Sequence, residues 1–90
     1  MAEQHIQVRV PAENVPGIFA DFVRAWHTRD AFVLDFSVFA EPGRQEEDRT
    51  VWDAQVVSRV RIPPGQVFEL MRALENQLTA WEKENPDRKA

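Results

Sequence analysis

Residues 17–39 read GIFADFVRAWHTRDAFVLDFSVF, and the choice between strand and helix here decides the fold. From Ala31 to Phe39 the apolar side chains alternate. Phe32, Leu34, Phe36 and Val38 share one face, the period of a strand. The run before it is ambiguous. Ile18, Phe19, Phe22, Val23 and Trp26 recur at helical spacing, yet Ile18, Ala20, Phe22 and Trp26 also alternate with Phe19, Asp21, Val23 and Ala25. The polar link His27-Thr28-Arg29-Asp30 separates the two runs, and a short link between apolar runs is the pattern of a hairpin. A strand is therefore expected over 18–26, with a helix as the alternative.

On the N-terminal side, Ile6, Val8 and Val10 alternate with His5, Gln7 and Arg9, which predicts a half-buried strand over 4–10 ended by Pro11. Residues 11–17 form a connection punctuated by Asn14, Pro16 and Gly17. On the C-terminal side, 40–50 holds Pro, Gly and six charges and predicts a solvated, mobile loop. Residues 51–62 predict another strand. Trp52, Ala54, Val56, Ser58, Val60 and Ile62 are on one face, and Val51, Asp53, Gln55, Val57, Arg59 and Arg61 on the other. Pro63-Pro64-Gly65 stops it and suits a first helical turn. Val67, Leu70, Met71, Leu74, Leu78 and Trp81 then make one stripe of a helix of about 18 residues. Pro86 ends that pattern, and 84–90 reads as a frayed tail.

The expected architecture is α+β: a four-stranded antiparallel β-meander with one long C-terminal α-helix packed on the sheet. A chain of 90 residues allows one domain, 1–90, with its ordered core over about 4–83. It sits at the small end of what folds alone, so association with another copy is expected. Without cysteine there is no disulfide framework, zinc ribbon or thiol nucleophile. No run of about 18 apolar residues exists to span a bilayer. The start MAEQHIQVRV has no apolar segment of the signal-peptide kind, so a cytoplasmic protein is expected. The net charge of −4 argues against general nucleic-acid binding.

Enzyme chemistry finds little support. His5 and His27 are the two histidines, and neither has a partner at metal-ligand spacing. No catalytic residue, metal or cofactor is expected. Asp21 and Asp35 stand inside apolar runs and become neighbours on one face if the hairpin forms, with Arg59 and Arg61 on that face too. A cross-strand charge network is the plainer reading, and a polar spot within an interface is the sharper one. Phe19, Val23, Val33, Phe39 and Val57 fall on the face away from the helix, with Ala25 and Val51, and leave it partly apolar. Trp26, beside a turn, and Phe68, offset from the helix stripe, complete the interface candidates. Arg9, Arg24, Arg59 and Arg61 form a basic stripe, but Asp21, Asp35 and Asp53 interleave with it.

Four stretches together carry a resemblance: Phe19-Ala20-Asp21-Phe22, Ala31-Phe32-Val33-Leu34-Asp35-Phe36, Ser58-Arg59-Val60-Arg61-Ile62-Pro63-Pro64 and Trp81-Glu82. Over about 6–82 the chain resembles DUF3467, a family of small uncharacterised bacterial and archaeal proteins. Members show an aromatic-Ala-Asn-Phe stretch, then Glu-Phe-x-Leu-Asp-Phe, then Ser-Arg-Val-x-x-Ser-Pro, and a helix ending in Tyr-Glu or a similar pair. Here Asp21 replaces the usual Asn, Ala31 the usual Glu, and Pro63 the usual Ser. Loss of that Ser removes an N-cap worth about 1 kcal/mol.

The resemblance confers no activity. Some members lie near transcription genes, which implies a nucleic-acid- or transcription-associated regulator as the alternative function. The strand order followed by a helix is also similar to the core of the export chaperone SecB and its relatives, a likeness of topology alone. The expected function is a small non-enzymatic protein-binding or adaptor domain. It would hold a client or partner through an apolar sheet or helix face, and would be assembled as a homodimer or tetramer.

Overall fold

The computed structural model describes residues 3–88. Five strands and one helix form: β1 Phe22–His27, β2 Phe32–Phe39, β3 Arg44–Glu46, β4 Arg49–Val51, β5 Ala54–Ile62 and α1 Val67–Glu84. The fold is α+β with antiparallel strands and a long C-terminal helix, as the periodicities predict. The strands divide differently, into a three-stranded sheet ordered β1-β2-β5 and a separate β3-β4 hairpin.

The strand expected over 18–26 forms from Phe22 and runs on to His27, while 18–21, with Phe19, stay outside it. The polar link closes the β1-β2 hairpin, with the Thr28 N–H donating to the Ala31 carbonyl at 2.9 Å. β2 is central, hydrogen-bonded along one edge to β1 and along the other to β5. Its alternate residues Val33, Asp35 and Ser37 are buried, and Val33 is 2 % exposed.

Four expectations are corrected. The strand read over 51–62 begins at Ala54; Val51 ends β4 instead, and Trp52 and Asp53 lie between the two. Residues 4–10 alternate like a strand but form none; the chain there is exposed and joins no sheet. A ladder requires a neighbour, and periodicity alone does not supply one. Within 40–50, the loop contains the β3-β4 hairpin, turned at Glu47 with φ of 55°. Arg44 bonds both Glu46 and Asp53, tying hairpin to flank and offsetting part of the acidic charge. Finally, the faces are regrouped. Val23 opposes Phe36 and Ala25 opposes Leu34, so Val23 and Ala25 share the helix-side face, whereas Val33 is on the opposite one. A bulge compounds this. Phe36 opposes Ser58 and Ser37 opposes Val56, leaving Val57 as the extra residue. One inserted residue reverses the alternation, so Val56 shares the face of Arg59 instead of that of Val60.

Pro63 and Pro64 lead through a short 3-10 turn, Pro64–Gln66, into α1. Neither Pro63 nor Gln66 makes a side-chain cap, in keeping with the missing Ser. Leu70 and Leu74 look toward the sheet across an apolar cavity. Much of the stripe remains open: Met71, Leu74 and Leu78 are exposed, as is the offset Phe68.

The chain is strongly extended. Its radius of gyration is 17.7 Å, against about 12 Å for a compact domain of this length. Its accessible surface is 8659 Å², against about 5,400 Å² for a compact monomer of this mass.

Candidate functional site

Two arrangements occupy opposite faces of the main sheet. On the face away from α1, Arg24, Asp35 and Arg59 stand directly opposite one another on β1, β2 and β5. Antiparallel register places them there, because each strand contributes one residue to the same rung. The Arg59 guanidinium donates to Asp35 through Nε at 2.6 Å and through Nη2 at 3.0 Å. Trp26 adds its Nε1–H to Oδ2 at 3.1 Å, and the guanidinium lies 5.3 Å from the centre of its ring. Trp26 and Arg59 thereby roof Asp35, which is 8 % exposed and fully bonded. The Arg59 bonds, then the Trp26 bond, hold the Asp35 carboxyl below its ordinary value; burial pushes the other way but less. Asp35 in turn raises the Arg59 guanidinium.

The Asp35 carboxyl is depressed in the folded state, so its stabilisation is complete above the unfolded value near 3.8 and is lost as pH falls through the folded value. Asp35→Asn is expected to flatten the acid limb of a urea-midpoint profile below pH 3.8. Identical acid limbs for both proteins would overturn it.

Asp21 is placed apart from this cluster. Just before β1, its Oδ2 accepts the Phe39 N–H at 2.9 Å, and its own N–H donates to the Ser37 carbonyl. Asp21 thus fixes where β1 begins, and the expected Asp21–Asp35 pair does not meet a common partner. Arg61 shares the Asp35 face opposite Val33. Phe39 sits between Phe22 and Trp52, with ring centres 5.2 and 5.4 Å away. Phe19 is well exposed, Val57 occupies the bulge, and Phe68 lies beneath the Arg72 guanidinium at 5.7 Å.

The helix-side face carries the second arrangement. Val23, Leu34, Phe36, Val60, Ile62, Leu70 and Leu74 line an open cavity of about 430 Å³ with apolar side chains around it. Of the interface candidates read from the sequence, Val23 lines it. The other six were legible as core. The available signal was the helix stripe itself, whose apolar length exceeds what three strands cover.

A family model matches residues 1–87. The chain belongs to DUF3467. That family is described as a protein of unknown function. No curated protein and no solved structure matches the chain. In this DUF3467 chain, the Asp of the Leu34-Asp35-Phe36 motif and the Arg of the Ser58-Arg59-Val60 motif are the two partners of the ion pair. The same two motifs also supply Leu34, Phe36 and Val60 to the cavity, on alternate positions. Among the described residues, no helix is long and apolar enough to cross a membrane, and no group of three metal-ligating side chains gathers.

Proposed function

We propose that this DUF3467 chain is a non-enzymatic protein-binding subunit of a homo-oligomer, working in the cytoplasm. Its helix-side sheet face takes apolar segments of a partner or an unfolded client, in the manner of SecB-like chaperones. The apolar cavity between β1, β2, β5 and α1 carries the reading. Such a surface offers no charged or hydrogen-bonding group to position a small polar substrate, and it gains from any apolar side chain that displaces water. The exposed Leu74, Met71 and Leu78 extend it along the helix. The opposite face supports the nucleic-acid alternative less, because Asp35 occupies the Arg59 guanidinium.

The test is retardation of aggregation of a chemically unfolded client, with an environment-sensitive hydrophobic dye as a parallel probe. Retarded aggregation and dye fluorescence are the expected results, both little changed across a salt series. Absence of both would overturn the reading. Nucleic-acid binding that collapses with added salt would favour the regulator instead.

A further inference from the structure

We infer that residues 5–10 form an exchanged strand, pairing with the outer edge of β1 in a second copy of this chain. The inference rests on the homo-oligomer part of the proposed function. Ile6, Val8 and Val10 alternate as in a half-buried strand, yet are 90, 83 and 61 % exposed. Main-chain groups of residues 3–10 have no backbone partner among the described residues. An alternating apolar segment whose main-chain groups have no ladder partner matches an open sheet edge, which lacks the same partner.

The main sheet leaves two edges open, those of β1 and β5, and the strands of the β3-β4 hairpin are three residues each, too short for the arm. β1 is the better fit. It is regular along all six residues and matches six residues of the arm, whereas β5 is interrupted by the Val57 bulge. Pairing there also places Ile6, Val8 and Val10 beside Val23 and Ala25, extending the apolar helix-side face. The arm is held off its own sheet by the connection. Pro11 is extended at φ −57° and ψ 147°, a 3-10 turn follows over Ala12–Asn14, and Gly17 takes a positive φ of 74°. Reciprocal exchange between two copies closes the assembly by two-fold symmetry. The area is sufficient. Each chain exposes about 3,000 Å² more than a compact monomer of its mass, several times the roughly 800 Å² per partner of a standard interface.

The chain has no cysteine, so introduced thiols report cleanly. Val8→Cys is mixed, after joint refolding, with Val23→Cys or with Ala25→Cys, which covers adjacent registers. Only a bond between chains links the two variants. Light scattering of the full chain is expected to give about twice 10.4 kDa, with oxidation producing the mixed dimer in at least one pair. A dimeric mass with no such link, or with a link only from Val8→Cys to Val60→Cys on β5, overturns the exchange onto β1 and leaves the subunit reading standing. A monomeric mass overturns both the exchange and the oligomer.

Discussion

Val33→Asp is expected to leave no folded protein under native conditions, seen as loss of the cooperative urea transition by circular dichroism. Among the described residues, Val33 is the apolar side chain that is fully buried, at 2 % exposed. It stands between Trp26 and Arg61 on the middle strand. A carboxylate buried there loses its hydration, which the Arg61 guanidinium opposite only partly offsets, at a net cost of several kcal/mol, comparable to the whole stability of a small domain. Val33→Ala isolates the packing part. Removing two buried carbons costs about 2 kcal/mol, against about 0.5 kcal/mol or less for Val23→Ala at a half-exposed site. Equal midpoints for the two alanine variants would sink the assignment of Val33 as the centre of the core.

Leu74→Glu is expected to weaken client binding by about tenfold or more while leaving the far-ultraviolet spectrum unchanged. Leu74 borders the apolar cavity yet is 61 % exposed, so folding tolerates a charge there. Binding does not. A leucine of this kind contributes roughly 1.5–3 kcal/mol when fully covered, and tenfold in affinity is about 1.4 kcal/mol. The comparison is Arg61→Glu, on the opposite face of the sheet. Titration of the same unfolded client, followed by anisotropy, separates the two. Equal losses for both variants, or none for Leu74→Glu, would place the binding surface elsewhere.

Asp35 and Arg59 show how far the sequence carries a site. Both were picked out as charged residues inside strand runs, and pairing follows once β2 and β5 are neighbours. The Trp26 roof was not legible, because it depends on which face of β1 turns toward Asp35. Parity assigned Trp26 and Asp35 to opposite faces; hairpin register joins them. The same parity failed at Val57, where one bulged residue reverses the order of everything before it. Asp21 illustrates the complementary case. Its sequence neighbourhood resembles that of Asp35, yet its partner is the main chain of Phe39, invisible to any side-chain pattern.

By itself, the sequence determined the local choices: a hairpin around 27–31, a strand stopped by Pro63, an 18-residue helix and the absence of thiol chemistry. These rest on side-chain period and on backbone restrictions of Pro, which act over a few residues. Only the tertiary structure decided which strands pair, which face receives the helix, and that Ile6, Val8 and Val10 alternate without a sheet to join. The physical reason is that burial is a property of what lies opposite. An alternating segment is apolar on one side in any context, but only a neighbouring edge turns that side into a core.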